Sequence, residues 1–182
     1  TVTSAGTVLT VERAPTAGTY FGTLGGSATG TFALLLRDNG TGVFLAQSGP
    51  TLLVARNVTL TANDRIQFSP QTPGGSTVQV LAEGTVDRSK GTVTGAWGGV
   101  TFNGARAEGS SSTSALAGYY ATGVPGGSAT ATFIIGSSGQ AFVLTQNGSV
   151  FDAGSGSVNA SGAVNIRTAG GVIVTATIAP GG

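Results

Sequence analysis

Cysteine, histidine and methionine are absent from the 182 residues. Without cysteine no disulfide can form, so the core is held by packing alone. Without histidine or cysteine, the usual nucleophile–base pairs are excluded, and transition metals lack their preferred ligands. We therefore expect no catalytic residue, no metal site and no cofactor, and predict that the protein is not an enzyme.

Charge is also scarce. Charged residues make up 8% of the chain and the net charge is +1, whereas an average globular protein is roughly 25% charged. Such a chain has no field that would attract nucleic acid or an anionic membrane surface. No apolar run approaches the ~20 residues of a membrane helix, so no membrane span is expected. Few charges also leave strand edges without the residues that discourage edge-to-edge association.

Several of the few ionisable residues lie where turns are predicted. Lys90, the single lysine, lies in a predicted hairpin loop, and Asp38 and Asp87 lie in turns. Glu83 and Glu108 lie near strand ends, and nothing in the sequence pairs them for glycoside hydrolysis. These residues are interpreted as solvated turn and strand-end positions.

Apolar residues are plentiful, at 40%, and they alternate with polar ones. The alternation is clear over residues 28–36 and 129–135, and a period of two is typical of half-buried strands. The turn formers Asp38-Asn39-Gly40, Asn103-Gly104 and Asn147-Gly148 separate such runs, because Asn and Gly tolerate positive φ. The pattern predicts an all-β protein of antiparallel meanders that form sandwiches or barrels.

The chain contains the same module twice. Residues 25–32 (GGSATGTF) return as 126–133 (GGSATATF), and residues 43–47 match 142–146. The aromatic pair Tyr20-Phe21 corresponds in sequence order to Tyr119-Tyr120. We divide the chain into an N-terminal β-arm (1–16), a complete repeat (17–107), a Ser-rich linker predicted to be flexible coil (108–116) and a shortened repeat (117–182).

The second repeat is shorter than the first. The chain advances 37 residues from Gln47 to Gly84 but only 10 between the matching residues Gln146 and Gly156. About two strands are therefore missing, which predicts an open sheet edge and an open core. The arm offers a spare strand, with residues Val8, Leu9, Thr10 and Val11. Three arrangements stay open: the arm pairs within its own chain, it adds to a neighbouring subunit, or the second repeat is simply a smaller sheet.

Aromatic residues offer a different hypothesis, a platform on which a sugar ring stacks. The candidates are Trp97, Tyr20, Tyr119 and Tyr120. Trp97 alternates in phase with Val93, which favours a place in the core instead.

Several segments resemble β-repeat modules found toward the ends of large secreted bacterial surface proteins. The resemblance lies in residues 18–23 (GTYFGT), 31–40 (TFALLLRDNG), 139–144 (GQAFVL) and 154–159 (GSGSVN). It implies an extracellular or cell-surface location and a structural role, and brings with it no activity and no functional residue. The layout of one arm and two modules is also similar to that of strand-donating pilus subunits.

These observations lead to two functional hypotheses. The first is an extracellular structural subunit that self-associates through strand edges as a homo-oligomer or filament, with donation of the arm to a neighbour's sheet as one route. The alternative is a non-catalytic carbohydrate-binding module of a secreted protein. The start at Thr1 and the lack of methionine lead us to expect a processed mature form or an excised fragment.

Overall fold

The computed structural model describes residues 2–4, 7–9, 16–73, 80–108, 111–123 and 127–180. These residues are nearly all β, with one short helix, α1 (Ser111–Ser114). The strands of the arm and first module are β1 (Val2–Ser4), β2 (Thr7–Leu9), β3 (Gly18–Gly26), β4 (Gly30–Leu36), β5 (Thr41–Ser48), β6 (Thr51–Leu60), β7 (Arg65–Phe68), β8 (Ala82–Asp87), β9 (Thr92–Trp97) and β10 (Val100–Arg106). Those of the second module are β11 (Gly118–Gly123), β12 (Thr130–Ile135), β13 (Gln140–Asn147), β14 (Val150–Ser157), β15 (Ala163–Arg167) and β16 (Ile173–Thr177). The predicted all-β class, with antiparallel meanders, is confirmed.

The first module, β3 to β10, is a closed eight-stranded antiparallel barrel. Each strand pairs with the next along the chain, and β10 returns to pair with β3 from Val100↔Gly26 to Arg106↔Tyr20. Because the sheet is closed, every strand of the barrel has a neighbouring strand on both sides.

Five aromatic rings fill one end of the barrel: Phe32, Phe44, Phe68, Trp97 and Phe102. Neighbouring ring centroids lie 4.6–6.3 Å apart, in stacked, tilted and edge-to-face arrangements. Phe102 lies over Gly95, where a Cβ would overlap its ring. The glycine in β9 therefore makes room for the large side chain on the neighbouring strand.

The second module is open. Strands β11 to β14 form a four-stranded sheet, and β15 and β16 form a hairpin. The hairpin lies beside β14, held by an isolated bridge between Val158 and Val164 and by the Ala169 N–H, which donates to the Ala153 carbonyl at 2.9 Å. Six strands stand where the first module has eight, which is the difference of two strands that the sequence predicts.

Matching hydrogen bonds locate the missing segment. The N–H of Leu60 donates to the carbonyl of the turn glycine Gly40, and that of Val158 donates to Gly139 in the same way, each at 2.7 Å. Val158 also precedes a turn like the one that follows Val86 in the barrel. Val158, the residue directly after β14, thus corresponds to both Leu60 and Val86 of the first module. The second module therefore lacks the segment that runs from the end of β6 to the end of β8.

The turn after this point is the same in both modules. The side-chain oxygens of Asp87 and Asn159 each accept from the N–H and hydroxyl of the serine two residues later, Ser89 and Ser161. The duplication predicted from sequence therefore extends to side-chain hydrogen bonds.

The predicted match of the aromatic pairs is shifted by one residue. The hydroxyl of Tyr20 donates to the Thr16 carbonyl at 2.7 Å, and that of Tyr120 donates to the Leu116 carbonyl at 3.0 Å. Tyr20 also pairs across the ladder with Leu34, as Tyr120 does with Phe133. Tyr120, and not Tyr119, is therefore the structural equivalent of Tyr20.

Two further predictions about local structure are wrong. Asn103-Gly104 is not a turn but lies inside β10, where Asn103 pairs with both Thr23 and Thr94. A Cβ at Gly104 would lie 2.7 Å from the ring of Phe32, so close packing and not turn geometry requires glycine there.

The linker, predicted to be flexible coil, contains helix α1 and two buried residues. Thr113 is buried and its hydroxyl donates to the Ser137 carbonyl at 2.6 Å. Leu116 is 3% exposed and belongs to the core of the second module. These contacts hold the end of the linker against the second module.

The two modules pack outer face against outer face. Their shared cluster contains Ala33, Val43, Leu45 and Leu52 from the barrel and Ile134, Phe142, Leu144 and Ala153 from the second module. The strands involved, β4 to β6 and β12 to β14, occupy equivalent positions in the two repeats, so the contact has the character of an isologous dimer interface within one chain. The hydroxyl of Thr19 also donates across it to the Ile135 carbonyl at 3.3 Å.

The arm forms its own small sheet. Strands β1 and β2 pair antiparallel, with Val2 opposite Leu9 and Thr3 opposite Val8. Val8 and Leu9, which were assigned from sequence to a spare strand, therefore already have strand partners within the arm. Thr10 and Val11, the other two residues of the predicted assembly strand, lie outside the described residues.

Candidate interaction site at the open end of the second module

The second module has two strands with a partner on one side only. Strand β16 pairs with β15, and β11 pairs with β12. In the barrel the equivalent strands, β10 and β3, pair with each other. Along the described part of the ladder, the outer sides of β11 and β16 therefore present backbone groups available to a further strand.

An apolar groove opens beside β16. It has a volume of about 950 Å³. Its walls combine residues of the second module, such as Ala131, Thr145, Val172 and Val174, with the β5–β6 turn of the barrel. Leu52 and Phe151, from the contact between the modules, also line it. The groove is thus the mouth of the second module's interior, extended by the adjoining barrel.

Small side chains create this groove. Strand registers and matching turn hydrogen bonds identify the counterparts of the five aromatic residues in the barrel. Phe68 has none, because it lies in the missing segment. The counterparts of Phe32, Phe44, Trp97 and Phe102 are, in order, Ala131, Val143, Thr168 and Val174. Two of these residues, Ala131 and Val174, line the groove, whereas Val143 and Thr168 are buried. The groove therefore lies where the second module has small residues in place of Phe32 and Phe102.

The rim of the groove is exposed and apolar. Val150, Val172 and Ile173 line it, with exposed fractions of 68%, 53% and 61%. Among the large apolar side chains that the structure describes, the other strongly exposed ones, Val80 and Leu81, belong to the barrel module. Large apolar side chains that cluster in contact with solvent are typical of an interaction surface.

Asp152 is the charged residue in the groove lining, and its carboxylate braces the groove. It accepts hydrogen bonds from the N–H of Gly170 at 3.0 Å, from the N–H of Ala153 at 2.9 Å and from the Thr168 hydroxyl. These bonds tie the turn between β15 and β16 to β14. The role of this carboxylate is to hold the wall of the groove in place.

Other ionisable groups serve structural contacts away from the groove. Asp64, 8% exposed, forms an ion pair with Arg88, and this contact raises the pKa of the Arg88 guanidinium. The hydrogen bond from the Ser89 hydroxyl lowers the pKa of Asp87. Both contacts brace turns of the barrel.

The four residues predicted as a ligand platform do not share a surface. Trp97 is 7% exposed in the aromatic cluster, and Tyr20 is fully buried, which raises the pKa of its hydroxyl. Tyr120 is half-buried against the core of the second module, and Tyr119 is half-buried at the contact between modules. Their rings are used in packing, and no stacking platform forms from them.

The groove residues were missed at the level of sequence, although a signal for them exists. When the repeats are aligned by strand register, the groove residues Ala131 and Val174 align with the aromatic residues Phe32 and Phe102 of the first repeat. Loss of large side chains at core positions of a duplicated module indicates a cavity.

A second, polar cleft of about 930 Å³ lies between the modules. Its lining residues include Gln67, Gln71, Gln146, Arg56 and the half-buried Phe151. Amides supply both donors and acceptors, as sugar hydroxyls do.

No protein-family model, curated protein or solved structure matches this chain. In the described parts of the chain, none of the helices has the length and hydrophobicity needed to cross a membrane. The molecule is therefore described by its fold: a closed β-barrel joined to a second module that has the same strand order but stays open.

Proposed function

We propose that this protein is a structural module of the bacterial cell surface or extracellular space that self-associates through the free strand edges of its second module. The observation that carries the proposal is that β11 and β16 are unpaired on their outer sides, where the equivalent strands of the barrel close the sheet. The exposed residues Val150, Val172 and Ile173 support it, because an added strand would cover them. The resemblance to repeat modules of secreted surface proteins supports the location.

The expected affinity of one edge contact is modest. Complete burial of a Val or Ile side chain is worth roughly 1.5–3 kcal/mol, and the three rim residues are already partly buried. Each backbone hydrogen bond adds about 0.5–1.5 kcal/mol. Association costs an estimated 4–15 kcal/mol, so a single contact is expected to be weak. A stable assembly would need several copies held at high local concentration.

One pair of variants tests self-association. Ile173→Lys places a charge on the free edge, which is how natural edge strands avoid pairing. Thr101→Lys is the matched control, because Thr101 holds the equivalent exposed position on β10, whose two sides are both paired. We expect Ile173→Lys to reduce the particle size measured by light scattering over a concentration series, while Thr101→Lys leaves it unchanged. A wild-type protein that stays monomeric at every concentration would refute the proposal.

Carbohydrate binding is a second candidate, favoured by the polar cleft rather than by the tryptophan and tyrosine residues. Arg56, Gln71 and Gln146 present hydrogen-bonding groups beside the ring of Phe151, a combination that suits sugar hydroxyls and a sugar ring face. A glycan array with wild type and the double variant Gln71→Ala/Gln146→Ala tests it. Binding that the double variant retains, or no binding by wild type, would exclude the cleft.

A further inference from the structure

We infer that the free edge of β16 receives the two-stranded sheet β1–β2 of a second copy of this chain, laid over the apolar groove. This inference rests on the proposed self-association and names its two surfaces. The acceptor is β16 with the groove residues Val172, Ile173 and Val174. The donor is the pair of strands formed by residues 2–4 and 7–9.

The number of strands supports the β1–β2 sheet as the element that binds at the free edge of β16. The second module has six strands and the equivalent closed barrel has eight. The β1–β2 pair is a separate two-stranded sheet in the same topology. Its addition would bring the second module to the strand number at which the first one closes.

The donor, the β1–β2 pair, would be stabilised by pairing with a larger sheet. A two-stranded hairpin alone is marginally stable in water and gains stability when a third strand or an apolar surface supports it. Adding the pair as one unit keeps the existing bonds of β1 with β2, from Val2↔Leu9 to Ser4↔Thr7. Only the outer side of one strand forms new backbone bonds, so nothing in the donor has to unfold.

The donor strands and the acceptor groove are also both largely apolar. Residues 2–9 (VTSAGTVL) contain no charged side chain and include the aliphatic residues Val2, Val8 and Leu9. The groove is apolar, and its carboxylate, Asp152, is engaged by hydrogen bonds within its own module. An uncharged aliphatic strand pair can enter without leaving a buried charge unpaired.

Donor and acceptor are different surfaces of the molecule, so the contact is heterologous. Such a contact extends into a ring or an open filament, unlike an isologous dimer. The assembly is therefore expected to grow with protein concentration.

Cysteine cross-linking tests the contact directly, because the natural chain has no cysteine. Donor variants carry Thr3→Cys or Val8→Cys, one for each strand of the pair. The acceptor variant carries Thr175→Cys on β16. The control acceptor carries Asn103→Cys, which holds the equivalent exposed position on β10 but has strand partners on both sides. Full-length donor and acceptor, distinguished by mass tags, are mixed and treated with a short bis-maleimide, which tolerates a register shift of two residues.

We expect a donor–acceptor heterodimer band with Thr175→Cys and loss of that band with Asn103→Cys. Ile173→Lys in the acceptor should also remove the band. A variant carrying both Val8→Cys and Thr175→Cys that links only within one chain, at every concentration, would overturn the inference. Large particles by light scattering without any donor–acceptor band would overturn it too, while leaving self-association standing. Monomers at all concentrations would overturn both proposals.

Discussion

Replacement of Phe32 by alanine tests whether the aromatic cluster holds the barrel closed. The ring of Phe32 is 1% exposed, stacks on Phe44 at 5.3 Å and meets Phe102 edge-on at 5.6 Å. Removing a buried phenylalanine side chain typically costs about 3–5 kcal/mol. Each aromatic pair adds about 0.5–1.5 kcal/mol beyond burial, so the loss of two pairs places Phe32→Ala in the upper half of that range. A typical domain is stable by only about 5–15 kcal/mol, so the change is a large fraction of the total.

The assay is chemical denaturation of the full-length protein, followed by the fluorescence of Trp97, which lies in the same cluster at 5.7 Å from Phe44. Thermal melting gives a second measurement, and for a protein of 182 residues each kcal/mol lowers the midpoint by about 2–4 °C. Thr31→Ala, one residue away on the exposed side of β4, is the control and should change stability by less than about 0.5 kcal/mol. If Phe32→Ala costs less than about 1 kcal/mol, the rings do not carry the core and the reasoning about the groove fails with it.

Two further predictions concern features present in both modules. Tyr20→Phe should cost about 1–3 kcal/mol in denaturation experiments, because it leaves a buried carbonyl without a donor, whereas Tyr120→Phe, at a half-buried position, should cost less than about 1 kcal/mol. Asp87 has a pKa lowered by the Ser89 hydroxyl, so its contribution to stability is present above its unfolded pKa, near 3.8, and is lost as the pH falls through the folded value. Asp87→Asn should remove that acid-induced loss, because an amide oxygen does not titrate and Asn159 makes the same turn with one. Melting temperatures measured between about pH 2 and pH 6 check this. A variant whose melting temperature depends on pH as that of the wild type does would contradict it.

Much of the secondary structure could be predicted because it depends on local pattern. The alternation in residues 28–36 and 129–135 matches β4 and β12, and the turns at Gly40 and Gly148 have φ of +78° and +58°. Side chains of a strand alternate between two faces, and glycine tolerates positive φ, wherever the segment lies in the fold. The duplication and the shortfall of two strands are likewise properties of the sequence alone.

Local pattern failed where a distant contact decided the outcome. Gly104 follows an asparagine, as in a turn, but the ring of Phe32 requires a glycine there within a strand. Tyr119 and Tyr120 are neighbours in sequence, and only the ladder with β12 shows which of them matches Tyr20. Leu116, in a segment predicted to be coil, is buried because the core of the second module lies beside it.

By itself, the sequence determined that this is a duplicated β-protein with one repeat two strands short. Strand periodicity, turn residues and repeat length can all be read from the order of residues along the chain. Only the tertiary structure decided which repeat closes and where the other stays open. Closure depends on β3 and β10 meeting across more than 70 residues of chain and on the aromatic side chains that fill the space between them. In the second module those side chains are small, and β11 and β16 keep free outer sides. The groove arises from that combination of backbone pairing and side-chain volume, which no single stretch of sequence contains.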